Sequence, residues 1–166
     1  YEKAESLLLR GLAIKEKVLG PEHPSTATLL SNLGLLYLSQ GLYEKAEPLY
    51  LRALAIEEKV LGPEHPSTAT GLSNIGVLYL RQGLYEKAER SLLRALAIDE
   101  KVYGPEHRDT GTVLKKLAGL YTEKGLYDKA EKLYRRALTI DFMLIQREAP
   151  YLVISERNSF VRSFGY

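Results

Sequence analysis

The chain has 166 residues, of which 45% are hydrophobic and 27% charged, and its formal net charge is +2. This composition predicts one folded globular domain, and so small a charge argues against nucleic acid or a membrane surface as the partner. The absence of cysteine excludes disulfides, thiolate catalysis and iron–sulfur clusters, and it fits a cytoplasmic location.

A 42-residue period dominates the sequence. Four copies open with the phrase YEKAE or YDKAE, at Tyr1, Tyr43, Tyr85 and Tyr127. The first two copies differ at only eight positions, the third diverges after Arg108, and the fourth follows the pattern to Ile140. A repeat of this length predicts an array of similar structural units rather than one irregular domain.

In chain order, the predicted elements are all helices. Residues 1–20 form a half repeat, which is the second helix of a pair. Full repeats of two helices each start at residues 24, 66 and 108. The last repeat helix runs from Tyr127 to about Glu148, so the array is expected to occupy residues 1–148.

The helix boundaries follow from the residues that interrupt the apolar pattern. Between residues 43 and 61, apolar side chains recur at steps of three and four, which is typical of one buried helical stripe. Gly62-Pro63 is expected to end this helix, and the next begins near Pro66, where the hydroxyls of Ser67 and Thr68 are available for capping. Only Gly83 and Leu84 separate the following two helices, and so short a link predicts an antiparallel hairpin.

Small residues recur where the predicted helices must approach one another closely. They are Gly34, Gly76 and Ala118 on the first helix of each pair, and Ala46, Ala53, Ala88, Ala95, Ala130 and Ala137 on the second. Glu-Lys runs such as EKAE and EEKV alternate with these positions, and we interpret them as solvated helix faces.

Residues 149–166 leave the repeat pattern. They include a set of apolar residues that could share one helical face, Leu152, Val153, Phe160, Val161 and Phe164. We expect either a C-terminal capping helix over the last repeat or the first helix of a following domain.

The sequence contains no arrangement of residues that predicts catalysis or metal binding. His23, His65 and His107 lie one repeat apart, so an array places them at separate copies of the same loop rather than at one centre. No phosphate-binding loop, nucleophile elbow or dinucleotide fingerprint is present. We therefore expect no enzyme activity, no cofactor and no metal.

One repeated pattern of small and aromatic residues reads L-G-x-x-Y-x-x-x-G-x-Y-x-x-A-x-x-x-Y-x-x-A from Leu33 to Ala53. This spacing resembles the tetratricopeptide repeat, TPR, over residues 1–141. The common TPR period is 34 residues, whereas the 42-residue unit, with its extra EKVLGPEHPSTA segment, resembles the kinesin-light-chain type. The resemblance implies an all-α, right-handed superhelical solenoid of stacked antiparallel helix pairs, and a function in protein–protein interaction.

A candidate binding surface follows from the faces of the first helices. At 100° per residue, Leu30, Leu33 and Tyr37 share the face predicted to be core, and polar residues lie opposite. The resemblance implies that this opposite face lines the concave surface of the solenoid, and that asparagines there hold the backbone of a peptide while basic residues favour acidic flanks. The candidate residues are Ser31, Asn32, Leu35, Ser73, Asn74, Val77, Arg81, Lys115 and Lys116.

The sequence therefore predicts a protein-interaction module that binds an extended or short helical peptide, acidic and with one bulky apolar residue, in its concave groove. Two alternatives stay open at this point. The repeats could be the regulatory arm of a larger multidomain enzyme, such as a caspase-like CHAT protease or a signalling ATPase. They could also form a structural solenoid that self-associates through its ends.

Overall fold

The computed structural model of the chain describes residues 1–148, and the predictions made for 149–166 lie outside the described residues. The described part folds into seven α-helices and contains no strand. The helices are α1 (Glu2–Leu19), α2 (Pro24–Ser39), α3 (Tyr43–Val60), α4 (Pro66–Arg81), α5 (Tyr85–Tyr103), α6 (Arg108–Glu123) and α7 (Tyr127–Glu148).

Glycines in the left-handed region of φ separate the helices, as the sequence predicts. Gly62 has a φ of 102° in the connection from α3 to α4, and Gly83 has a φ of 74° in the short link from α4 to α5. An L-residue with a side chain would be strained at either position. The link of Gln82, Gly83 and Leu84 folds α5 back against α4, which gives the antiparallel pair.

Histidine rather than a hydroxyl residue caps the even-numbered helices, which corrects the expectation from the sequence. The Nδ1 atoms of His23, His65 and His107 each accept a hydrogen bond from the backbone N–H two residues later, at 3.1–3.2 Å. The N-cap is the residue just before the first helical position, and its backbone is extended. In each even-numbered helix that residue is histidine. The threonine hydroxyls instead donate backwards to the carbonyl of the preceding loop glycine, as Thr68 does to Gly62 at 2.8 Å.

The helices form two layers with the hydrophobic core between them. Each even-numbered helix packs against the odd-numbered helices that precede and follow it in the chain. The alanines predicted at the crossings are all buried, and a Cβ added to Gly34 or Gly76 would lie 3.0 Å or less from a side chain on the paired helix. Each hairpin therefore covers the apolar face of its neighbour, as stacked repeats require.

Polar side chains join successive repeats at regular intervals. The hydroxyl of each tyrosine in the register of Tyr37 donates to a glutamate 32 residues earlier, as Tyr121 does to Glu89 at 2.8 Å. Salt bridges link successive odd-numbered helices on the opposite side, as between Arg94 and Glu58 at 2.6 Å. Because these contacts recur with the 42-residue period, they fix the same stacking geometry at each repeat junction.

Candidate functional site

The even-numbered helices line the inner side of the array. The backbones of α2 and α4, and of α4 and α6, approach with Cα atoms within 8 Å, whereas the odd-numbered helices of residues 1–148 do not approach one another this closely and meet through long side chains such as Arg94 and Glu58. Because the even-numbered layer is the more closely spaced, the array curves towards it. The side chains of α2, α4 and α6 that point away from the odd-numbered helices lie on the inner side of this curve, and we call them the concave face.

Several candidate residues are accessible on the concave face. Asn32 is exposed, and Asn74, one repeat later, is half-buried. Leu35 is 57% exposed, although leucine is among the residues most often buried in proteins. Val77 is half-buried, and Arg81 is exposed and forms no ion pair with a described residue.

The predicted lysines are already engaged within the fold. The ammonium of Lys115 forms a 2.6 Å salt bridge with Asp141 on α7. The ammonium of Lys116 donates a 2.6 Å hydrogen bond to the hydroxyl of Ser73 on α4. Burial lowers the pKa of Lys116, and the nearby Asp99 carboxylate opposes that effect. Lys115 is therefore paired with a carboxylate within the fold, and Lys116 keeps its charge but already has a hydrogen-bond partner.

The two predicted serines differ in accessibility. Ser31 is half-buried, but Ser73 is only 3% exposed because α6 covers it and Lys116 contacts its hydroxyl. Ser31 and Ser73 therefore have different surroundings although their repeats are nearly identical in sequence. The repeat after Ser73 carries Lys116 at the position that contacts it, whereas the repeat after Ser31 carries Asn74 in that register.

A cleft with a volume of about 160 Å³ opens between α4, α5 and α6. Its polar lining includes Thr70 and Ser73 from α4, Asp99 and Tyr103 from α5, and Asp109 and Lys116 from α6. The ring of Tyr103 stacks on the ring of His107 with their centroids 4.4 Å apart. The cleft therefore combines one aromatic wall with two carboxylates and one ammonium group.

The interpretation of the EEKV run as a fully solvated face is wrong for Glu57, and the same holds for Asp99 one repeat later. Glu57 is 8% exposed and Asp99 is 5% exposed. Burial raises the pKa of Glu57 to about 7. Burial is also the main cause that raises the pKa of Asp99 to about 6, with Asp109 adding to the shift and His107 and Lys116 opposing it.

Glu57 reaches its buried position because α4 carries a glycine opposite it. A Cβ on Gly71 would collide with the Glu57 carboxylate, whereas Val113 occupies the same register opposite the shorter Asp99. One Glu57 oxygen, Oε2, is buried without a hydrogen-bond partner. An unpartnered buried oxygen of this kind disfavours the charged form of the carboxyl.

The buried carboxylates carried a signal that the sequence analysis missed. Glu57 follows Ala53 by four residues, and Asp99 follows Ala95 by four, so both lie on the apolar stripe of their helices. Register on the stripe, rather than membership of a charged run, identifies these positions as buried. Tyr103 and Asp109 had no comparable signal, because the cleft depends on how α5 and α6 pack.

Within the described residues, no group of three or more histidine, aspartate or glutamate side chains is placed to hold a metal ion. None of the helices in that same part of the chain is both long and apolar enough to cross a membrane.

Antiparallel helix pairs stacked in register define the molecule as a helical-repeat solenoid. The family model of the tetratricopeptide repeat matches residues 1–58, 29–101 and 67–141. The chain belongs to the tetratricopeptide repeat family, as the spacing of its repeats predicted.

Solved structures identify the repeats as kinesin-light-chain-like. BtubC (BKLC) from P. vanneervenii superposes with a TM-score of 0.78 at 26% identity, covering 86% of this chain and 57% of that chain. A putative kinesin light chain with nearly identical TPR-like repeats from Podosopora anserina gives a TM-score of 0.69, and a point variant of that protein gives 0.72, both at 28% identity. These two matches cover 86% and 87% of this chain and 68% of theirs. No curated protein matches the chain.

Proposed function

We propose that the concave face binds an extended segment of a partner protein, with no catalysis by the repeats themselves. The single observation that carries the proposal is the exposed Leu35 beside the exposed Asn32 on the inner layer of the array. The TPR fold is in general a protein-interaction module, and this pairing gives the surface both an apolar and a hydrogen-bonding contact.

The asparagines supply contacts that do not depend on the partner's side chains. An asparagine amide offers two donors and one acceptor, so it can pair with the N–H and C=O groups of an extended backbone. Asn32 and Asn74 occupy the same register on neighbouring helices, α2 and α4, and an extended chain crossing both helices could contact both amides.

Leu35 and Val77 supply the apolar contact. They also share a register, four residues before the carboxyl ends of α2 and α4. A bulky apolar side chain of the partner placed against Leu35 would remove exposed apolar surface from water, which is the main source of affinity at small interfaces.

Charge selects the flanks of the segment. Arg81 is the cation of the predicted set that has no partner among residues 1–148, because Lys115 pairs with Asp141 and Lys116 donates a hydrogen bond to Ser73. We expect an acidic residue of the ligand to lie near Arg81. An exposed ion pair of this kind contributes little affinity but makes binding dependent on salt.

The test uses short fluorescein-labelled peptides, each with one aromatic residue flanked by glutamates, and measures binding to the 166-residue chain by fluorescence anisotropy. Leu35→Ser and Asn74→Ala should each weaken binding by about threefold to tenfold, the equivalent of one net hydrogen bond or small apolar contact. The matched control is Leu93→Ser, a similarly exposed leucine on the odd-numbered helix α5, which should leave binding unchanged. Equal loss in both leucine variants, or no loss in any, contradicts the proposal.

Self-association has one observation in its favour. Helix α1 has no buried residue, and Leu7, Ile14 and Val18 on it are each more than half exposed. Sedimentation of the chain over a range of concentrations measures self-association directly, since a stable dimer would raise the molecular mass.

The alternative that the repeats are the regulatory arm of a larger enzyme stays a prediction.

A further inference from the structure

We propose that the cleft between α4, α5 and α6 binds the side chain of an arginine of the partner protein, with Asp99 as the residue that pairs with the guanidinium. This inference rests on the proposed function only in that the cleft opens beside Thr70 and Ser73 of α4, next to the concave face. It adds a basic residue to a ligand that the sequence alone predicts to be acidic.

The charges that line the cleft do not balance. Asp99 and Asp109 contribute two carboxylates, and Lys116 contributes one ammonium group. His107 is the N-cap of α6, where its Nδ1 accepts a hydrogen bond from the Asp109 N–H, and it is not among the residues that line the cleft. One negative charge is therefore left over near neutral pH, and a single cation would neutralise it.

The buried carboxylate lacks a partner of its own. Asp99 is 5% exposed, and no group among residues 1–148 donates a hydrogen bond to it or forms an ion pair with it within 4 Å. Lys116, which also lines the cleft, donates instead to the hydroxyl of Ser73. The Asp99 carboxylate lines the cleft without a donor from the described residues, so a cationic donor brought by a ligand would form a charge-assisted hydrogen bond there.

The shape of the cleft favours a guanidinium. Its volume of about 160 Å³ is close to the ~150 Å³ that accommodates a benzene-sized ligand in an engineered protein cavity. The Tyr103 ring, held by its stack on His107, forms a flat wall on which a planar guanidinium can lie. An ammonium could pair with Asp99 and lie over the ring, but it has no planar group to stack on the ring and cannot form the two parallel hydrogen bonds that a guanidinium forms with a carboxylate.

The test titrates the full chain with N-acetyl-arginine N-methylamide and with the uncharged citrulline analogue of the same shape, followed by amide chemical shifts in NMR. The arginine probe should shift the amides around Asp99, Tyr103 and Lys116 in a saturable way, and the citrulline probe should bind about tenfold more weakly. Equal shifts from both probes, or arginine shifts spread over the acidic surface, would overturn the inference.

Three variants with different expected results protect this test from a simple loss of folding. Asp99→Asn should weaken the arginine probe about tenfold, and Asp128→Asn, an exposed carboxylate in the first turn of α7, should leave it unchanged. Lys116→Asn introduces the residue that stands in this register in the two preceding repeats, Asn32 and Asn74, and removes the competing ammonium. It should strengthen binding several-fold, and weaker binding in this variant would contradict the proposed charge balance.

The pH dependence gives an independent readout. Burial and the neighbouring Asp109 raise the pKa of Asp99 to about 6, against the opposing effects of His107 and Lys116. Binding of the arginine probe should therefore fall as the pH drops from about 7 to about 5, and Asp99→Asn should remove most of that dependence. If Leu35→Ser and Asn74→Ala weaken the labelled peptides while the arginine probe leaves the cleft unchanged, the proposed function stands and this inference fails.

Discussion

Single glycines set how closely the two helices of a repeat can pack. A Cβ built on Gly76 would lie 2.6 Å from Cγ of Leu92 and 2.8 Å from its Cδ2, on the facing helix α5. Cγ is not the flexible end of the side chain, so a substitution there must move the helix or the rotamer. Gly119 on α6 differs, because its added Cβ would meet only the Tyr134 hydroxyl at 3.8 Å.

We expect Gly76→Ala to destabilise the fold by about 1–2 kcal/mol, since overpacking outweighs the gain in helix propensity. Gly119→Ala should stabilise it by about 0.5–1 kcal/mol, because propensity acts there without a clash. Urea unfolding of both variants measures the difference. A stabilising effect of Gly76→Ala would show that the spacing of α4 and α5 is not limited by this contact.

Glu57 makes the stability of the array depend on pH. Its pKa is about 7 in the folded chain and near 4.5 in the unfolded chain, so the folded state binds the proton more tightly. The resulting stabilisation is fully present below pH 4.5 and is lost as the pH rises through about 7. The shift corresponds to at most about 3 kcal/mol.

Glu57→Gln should therefore flatten this part of the stability profile, because glutamine carries no charge at any pH. The free energy of unfolding should be measured from about pH 4 to about pH 8 for both chains. Glu58→Gln is the matched control, since Glu58 is the next residue and lies half-exposed in a salt bridge with Arg94. If the wild-type and Glu57→Gln profiles stay parallel, the buried carboxyl is not the source of the dependence.

At the scale of the element, helix α3 runs unbroken past Pro48, its sixth residue. Proline donates no backbone hydrogen bond, so the Glu44 carbonyl loses its partner in the helix. The same register holds Ser6, Arg90 and Lys132 in the other odd-numbered helices, so the repeat geometry itself does not require proline.

Pro48→Arg should raise the free energy of unfolding by about 1–3 kcal/mol, because arginine restores the hydrogen bond and favours helix. The side chain is exposed, so arginine meets no packing conflict. Arg90→Pro is the reciprocal variant in α5 and should cost a similar amount. Thermal unfolding by circular dichroism measures both, and a neutral result for the pair would contradict this explanation.

The helices could be predicted from the sequence because their limits are set by local chemistry. Gly62 and Gly83 interrupt the apolar pattern, and proline starts α2 and α4, so these boundaries need no knowledge of the neighbours. The capping residue of α4 was predicted wrongly as a hydroxyl residue. The residue with an extended backbone just before the first helical residue is at position 65, and it is histidine.

The candidate site could be predicted only in part, because its electrostatics depend on contacts between repeats. Periodicity places Asn74 in register with Lys116 and Ser73 in register with Lys115, on α4 and α6, and their positions on the inner layer follow from it. The salt bridge of Lys115 with Asp141 and the hydrogen bond of Lys116 with Ser73 join different helices. No pattern within one repeat contains that information.

At the scale of the whole molecule, two helices of nearly the same sequence have different surroundings. Residues 1–20 and 43–62 differ at four positions, 6/48, 8/50, 11/53 and 15/57. Helix α3 packs against both α2 and α4 and has five buried residues, whereas α1 packs against α2 alone and has none. In a solenoid the stability of each element comes largely from its two neighbours.

We therefore expect backbone amides in α1 to exchange with deuterium at least about tenfold faster than the matching amides in α3, because local opening of α1 exposes little apolar surface. Mass spectrometry of peptides from the two helices measures the ratio, and their shared sequence removes most differences in intrinsic exchange. The experiment should be run at two protein concentrations. Equal protection at both would contradict the nearest-neighbour explanation, whereas protection of α1 that rises with concentration would show a second copy covering its exposed leucines.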